Sequence, residues 1–413
     1  MVNRDRLPRW VNVLIDRIAD APTSPIGRLA ARQYGRPSPR GTVPTTVFAD
    51  LPLRVLIAPV NYSGQGTAWA RALESSGDGI SARNMAIDVV GGFRFPADVL
   101  VPLATYHNDP DWQRREFDAA SAATHVLIEA EEPPFGRLLG RSVSAQATAL
   151  ADRGVSVAYM AHGTDVRLPS RHLRDNPWSH YNDESIYVPR AEALAARNIA
   201  LLADSGRPYF VSTPDLLRDL PQAQWCPVVV DLDRWAVRRT ERDARCPLSV
   251  VHAPSVSAVK GTALILPALE RLAAEGIITL ELVSGIPSEA MPRIFAGADV
   301  VIDQMRIGSY GVAAVEAMAA GCVVVGHVAA DVRKSIARHT GEELPIVEAT
   351  ADTIEEELRR LAAEPSLADR RAIGQAFVAH VHDGRLAARV LTQHWIDRHP
   401  SRQGKASTDE PDR

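Results

Sequence analysis

Short β-branched runs alternate with helix-forming stretches twice along this chain, and that order excludes most folds. The first series opens with LRVLIAPV at residues 53–60 and continues through MAIDVV, ADVLVPL, THVLIEA and VSVAYMAH. Helical stretches separate most of these runs; the helical RAEALAARNIALLADSG and a short strand PYFVST follow. A second series begins at LSVVHAPS and proceeds through ITLELVSG, ADVVIDQM, GCVVVGHV and LPIVEA. Runs this uniformly apolar suit strands covered on both faces, and the strand–helix order predicts doubly wound parallel sheets. With 413 residues the chain suits two domains of ordinary size.

The expected organisation is an extension over 1–50, a first Rossmann-like domain over 51–230 and a second over 231–385. A helix over 386–400 and a polar, disordered tail over 401–413 complete it. The extension carries eight arginines against four aspartates. Its Trp10, Val11, Leu14, Ile15 and Ile18 recur at helical spacing. That face predicts a helix packed on the body of the protein; the competing reading is an interfacial helix docked on anionic lipid. A net charge of −4 gives no nucleic-acid footprint. Cys226, Cys246 and Cys322 are odd in number, widely spaced and without metal-ligand spacing, which fits a reduced compartment. No apolar run approaches the roughly 20 residues of a membrane span. No secretory signal core follows Met1, so the expected location is cytoplasmic.

Four places can carry chemistry. The segment 308–326, GSYGVAAVEAMAAGCVVVG, reads as loop, helix, tight stop and buried strand. Its one charge, Glu316, interrupts an apolar helix and must find hydrogen-bond donors. The amides of Ser309, Tyr310, Gly311 and Val312 lead into the helix N-terminus, where a phosphate binds. A carboxylate for hydroxyls beside amides for phosphate is what a nucleotide-sugar site requires. In HAPSVSAVKGT (252–262) Lys260 stands at a helix mouth, an unfavourable place for a cation unless it shares a phosphate with the amides. In MAHGTDVRLPS (160–170) His162 emerges at a strand end, and the turn of Gly163, Thr164 and Asp165 follows. NYSGQGTAWA (61–70) places Gly64 and Gly66 in a turn into a helix. Trp69 replaces the third glycine of a dinucleotide fingerprint, which weighs against an NAD enzyme. His107, His125, His172, His180, His327 and His380 form no ligand pattern and are expected to be structural.

The segment around Glu316 resembles the donor-site motif of retaining GT-B glycosyltransferases of family 4, also called group 1. The resemblance implies an α/β GT-B fold, two doubly wound Rossmann-like domains facing across a cleft, with the last helix returning to the first domain. It implies that Glu316 holds the ribose and that Lys260 and the 309–312 amides hold the donor diphosphate. His162 would orient the transferred sugar, Asp165 or Arg167 would meet the acceptor, and the Gly64–Gly66 turn would close over the phosphates. The family's first motif Glu falls at Gly308, where it is missing; Asp303 and Gln304 are the nearby polar substitutes. PVVVDLDRW (227–235) resembles the interdomain hinge, an apolar strand followed by acids, and Asp231 and Asp233 receive no catalytic role. The expected activity is metal-independent, cofactor-free hexosyl transfer from a nucleotide sugar to a glycan or lipid-linked acceptor, as in polysaccharide biosynthesis. The missing Glu also motivates a catalytically weak binding or scaffold protein, and the shared fold an epimerase.

Overall fold

The computed structural model describes residues 32–89, 95–237, 246–254 and 257–398, together with Asn12, Asp16, Ser24, Pro25, Gly27 and Leu29. The apolar face expected around Trp10, Leu14 and Ile18, and the polar tail after 400, lie outside the described residues. The first sheet comprises β1 (Leu53–Ala58), β2 (Ile80–Asp88), β3 (Val99–Pro102), β4 (His125–Glu129), β5 (Ser156–Ala161), β6 (Tyr209–Val211) and β7 (Gln224–Trp225). The second comprises β8 (Leu248–His252), β9 (Ile278–Leu282), β10 (Val300–Ile302), β11 (Val323–Gly326) and β12 (Val347–Glu348). Among the described residues every pairing of strands within these two sheets is parallel. Two doubly wound domains face each other, the GT-B arrangement.

Strand order decides where a ligand can sit. The first sheet runs β3-β2-β1-β4-β5-β6-β7, so the winding reverses between β1 and β4. The second runs β12-β11-β10-β8-β9 and reverses between β8 and β10. At such a reversal the crossovers leave in opposite directions, and a crevice opens beyond the strand C-termini. Residues after β1, β4, β8 and β10 are therefore the ones to inspect.

The last helix, Arg385–His394, packs on the first domain. Its Ala387, Ala388 and Leu391 share a core with Val55, Ile57, Trp69 and Leu73. Trp395, beyond its end, donates its indole N–H to Ser156 Oγ at 3.0 Å. Among the described residues no helix is long and apolar enough to cross a membrane.

One expected strand is absent. Residues 227–230, read in the sequence as an apolar strand, run without a sheet partner. Pro227 offers no N–H to a ladder, and side chains take the place of one. Gln65 accepts from Val229 N at 2.7 Å and donates to Val229 O at 3.0 Å. Trp69 Nε1 donates to Pro227 O at 2.9 Å. From the other domain, His382 Nδ1 donates to Val228 O at 2.8 Å and its carbonyl accepts Val230 N at 2.9 Å. Asp231 then caps the short helix Leu232–Trp235, a structural task.

Replacing Gln65 by Met keeps the volume and leaves two buried backbone groups of Val229 unsatisfied. The substitution is expected to cost about 2–4 kcal/mol. A thermal melt should show Tm falling by several degrees; an unchanged Tm would mean that this clasp carries no stability.

Candidate nucleotide-sugar site

The two reversal points meet across a cleft of about 780 Å³. On the second-domain side β8 ends at the buried His252. Its Nδ1 donates to Ile302 O at 3.0 Å, so in the neutral ring favoured by burial Nε2 accepts the Thr262 hydroxyl at 2.8 Å. This braces β8 and β10 against the start of the helix Thr262–Ala274. Just ahead of that helix Gly261 is left-handed, with φ of 81°. A Cβ there would lie 3.1 Å from Arg306 Cγ and 3.3 Å from Met305 Cβ. Glycine thus lets Lys260 come against the loop that follows β10.

Lys260 lines the cleft, and its Nζ is ion-paired with Asp303. The lysine side chain is 13% exposed and the aspartate 2%, so the pair is shielded from solvent. The other oxygen of Asp303 faces Gly311 N at 3.4 Å. Asp303 therefore does not reach into the cleft as a substitute for the missing Glu; it fixes the separation of the Lys260 ammonium group and the Gly311 amide. Gln304 is also turned inward. Its Oε1 accepts Ile307 N at 2.6 Å, while Nε2 donates to Ser309 O and to His327 O. The amide shapes the loop and has no donor left for a sugar.

The backbone at Gly308 disfavours a side chain where the motif Glu is missing. Its φ of 72° lies in the left-handed region, strained for a side chain, and a Cβ would be 3.5 Å from Asn176 Nδ2. Asn176 comes from the first domain and donates to Arg306 O at 2.9 Å. Beside it His172 Nε2 donates to Ile307 O at 3.0 Å. Burial pushes the His172 imidazole down to about 4, which keeps it neutral in this contact. Residues 172–183 thus clamp the second domain. Tyr310 and Ser309 are buried, not displayed; the Tyr310 hydroxyl is 3.1 Å from His382 Nε2.

Gly311, Val312 and Glu316 face the cleft, on or just before the helix Val312–Ala319. Among the described residues no donor reaches the Glu316 carboxylate. Burial pushes its pKa up to about 7, and the charges of Arg234 and Lys260 offset only part of that. A carboxylate so placed is incomplete without a ligand that brings hydroxyl or amide donors.

On the first-domain side, Asn61, Tyr62 and Ser63 line the cleft after β1. Gly64 caps the helix Gln65–Ser75 in a left-handed conformation. Gly66 is buried, because a Cβ would be 2.4 Å from Asn84 Nδ2 and 3.0 Å from Glu129 Oε2. Both glycines position the turn; neither lines the cleft. His162 lies one layer behind it, its ring edge-on to Tyr62 at 5.3 Å and its Nε2 3.1 Å from Glu129 Oε1. The expected acceptor contacts, Asp165 and Arg167, point elsewhere. Asp165 accepts the N–H groups of His162 and Gly163 and so closes its own turn. Arg167 forms a buried ion pair with Asp215 at 2.6 Å.

Sequence reasoning passed over EAEEPP after β4. Glu129 is fully buried and its carboxyl is raised by desolvation. Glu131 is raised well above the usual range by burial first, then by Asp165 and Glu132. Glu132 reaches the cleft and pairs with Arg141 at 3.3 Å. Ala130 and Glu131 have φ of 54° and 50°, a conformation that costs a non-glycine residue of order 1–3 kcal/mol. The signal was available: three acids at the end of a strand otherwise uniformly apolar.

Residues 264–376 match the family model described as glycosyl transferases group 1. That stretch contains Asp303, Gly308, Gly311 and Glu316, while Lys260 stands just before it. No curated protein sequence matches the chain. In three dimensions it is similar to sucrose-phosphate synthase from Thermosynechococcus elongatus, with a TM-score of 0.54, 13% identity, and coverage of 84% of this chain and 98% of that one. It is also similar to Anabaena Alr3699/HepE in complex with UDP and glucose, with a TM-score of 0.52 and 10% identity over 83% of this chain and 99% of that one. A third is an alpha-glucosyltransferase in complex with UDP and a 13-mer DNA, with a TM-score of 0.50 and 9% identity over 82% and 97%. At these identities the likeness establishes the GT-B fold, and the matched segment gives the second domain the signature of group 1 glycosyltransferases.

Proposed function

We propose that this protein moves a sugar from a nucleoside diphosphate sugar to an acceptor hydroxyl with retention of anomeric configuration, without a metal. The observation that carries this reading is Glu316, a half-buried carboxylate facing the cleft with no donor among the described residues, beside Lys260 and the amides at Gly311–Val312, the first of which also donates to Asp303. Two ribose hydroxyls would satisfy the carboxylate. The diphosphate would lie between the ammonium group and the helix N-terminus, where both charge and dipole favour an anion. The base has a mostly apolar surface along Val283, Ile286 and Met291, with the Ser284 and Gly285 backbone at its edge. Structures of similar fold bound to UDP support a uridine nucleotide as the first to try.

The reaction transfers negative charge to the diphosphate as the anomeric bond breaks. The acceptor oxygen forms the new bond to the anomeric carbon, the glycosidic oxygen leaves with the phosphate, and the acceptor proton follows it. Lys260 and the amides then stabilise charge that is larger in the transition state than in the ground state. Incubation with a panel of nucleotide sugars should release nucleoside diphosphate. Binding of UDP without release from any donor would favour the second reading, a binding protein; the inward-turned Asp303 and Gln304 are what speak for it.

Glu316→Gln has two expected consequences. The folded pKa of about 7 lies above the ordinary 4.5, so the folded state binds the extra proton between those values. The Glu316 contribution to stability therefore falls as pH rises from about 4.5 to 7 and levels off above. Removing the ionisable group removes that contribution, and between pH 5 and pH 8 the variant should gain about 2 kcal/mol relative to the wild type. UDP affinity should nevertheless fall by about 10–100-fold. Thermal melts at pH 5 and pH 8, with calorimetry for UDP, check both; unchanged UDP affinity would remove Glu316 from the site.

Lys260→Ala should weaken UDP by about tenfold or more while leaving uridine binding unchanged, since only the diphosphate meets the ammonium group. Because the substitution strands Asp303, the double variant Lys260→Ala with Asp303→Asn serves as a control. Equal loss of UDP and uridine in both would show that Lys260 supports the fold and does not read phosphate.

A further inference from the structure

The two walls of the cleft differ in chemistry. The second-domain wall carries the ammonium, carboxylate and amide groups assigned above. Opposite them, the first-domain wall displays Tyr62, Ile87, Val89, Phe95, Leu100 and Leu103, with Asn61, Ser63 and Asp88 as polar neighbours in the same lining. Tyr62 is 53% exposed, Val89 51% and Leu100 42%, although the same elements bury their alternate residues. Along β3 this alternation is plain: Val99 and Val101 face the core while Leu100 faces the cleft. A lone exposed leucine needs no explanation, but apolar side chains from four separate segments converging on one cavity do. The charged groups of this wall with an ion pair between them, Glu132 and Arg141, neutralise each other at 3.3 Å. His107 beside them is pushed down to about 4 by burial, then by Arg141 and Arg137, and is neutral.

We infer that the acceptor is a small molecule whose hydroxyl is carried on an apolar body, and that this body lies along the wall of Val89, Phe95, Leu100 and Leu103. The inference rests on the sugar-transfer reading above, which puts the acceptor opposite the donor. The cleft volume, about 780 Å³, fits a small molecule and not a protein surface. A free oligosaccharide is disfavoured along Val89, Phe95, Leu100 and Leu103, because hydroxyls laid against those side chains would lose water without gaining hydrogen bonds. An alkyl or ring-bearing acceptor gains from the same contact. During transfer its hydroxyl oxygen bonds to the anomeric carbon while the bond to the diphosphate oxygen breaks, and its proton leaves with the phosphate.

The test compares methyl glucoside with octyl glucoside, below the micelle concentration, by calorimetry on the full chain. The two probes share the head group and differ in the tail. Octyl glucoside should bind roughly 30-fold more tightly or better, because each buried methylene contributes about a fourfold factor and part of the tail stays in water. Leu100→Asp and Val89→Asp, on different segments, should each reduce that affinity by about tenfold. UDP titration and a thermal melt report whether each variant is folded. Equal affinity for the two glucosides, or octyl glucoside binding that survives both substitutions, overturns the inference. Failure of UDP to bind the wild type would instead strike the donor reading, while the glucoside comparison still decides the character of the wall.

Discussion

The crossing between the domains depends on a backbone that has no sheet partner. Residues 227–230 are apolar and buried, so their peptide groups must be satisfied by something other than water. Gln65 supplies both a donor and an acceptor from the first domain, and His382 supplies the same pair from the second. Gln65 sits in the first turn of the helix that follows β1, directly behind the cleft residues 61–63. His382 carries the chain from the helix Ala368–Val381 towards the returning helix Arg385–His394. One clasp therefore ties the hinge to the second domain, the first domain and the final helix. Because His382 must be neutral to accept the Tyr310 hydroxyl at Nε2 while donating from Nδ1, its burial is part of the device.

The strands were legible because a parallel sheet covered on both faces writes itself as continuous β-branched runs. Segment 308–326 was legible for a different reason. A carboxylate inside an alanine-rich helix has few tolerable explanations, and the structure leaves Glu316 open to the cleft as that argument requires. What the sequence concealed is contact at long range. Asp303 and Gln304 are polar residues at a strand end, which reads as a ligand site. Their partners, Lys260 for one and the 307–309 backbone for the other, cannot be inferred from local spacing. Asp165 and Arg167 misled in the same way: an Asx-type turn and a buried ion pair present the residue types of an acceptor site. Residues 227–230 misled through composition, since a valine run favours a strand wherever a neighbour exists, and here none does.

The loop from 304 to 312 brings these points together. It contains Gly308 and Gly311, and by composition it should be among the least ordered parts of the molecule. Instead it is held from three directions. Gln304 spans it from within, His172 and Asn176 hold Ile307 and Arg306 from the first domain, and Tyr310 reaches His382 behind the hinge. The tethers act on Arg306, both backbone groups of Ile307, Ser309 and Tyr310, so the Gly311 and Val312 amides are placed by the domain arrangement as much as by their own sequence. Separating the domains must break the His172 and Asn176 contacts, and the cleft-facing end of the helix Val312–Ala319 would lose one of its three supports. At the left-handed Gly308 a Cβ would sit 3.5 Å from Asn176 Nδ2, in contact with that clamp. A glutamate there would carry a strained backbone and project beside the interdomain clamp; the chain has glycine, which adopts this conformation freely.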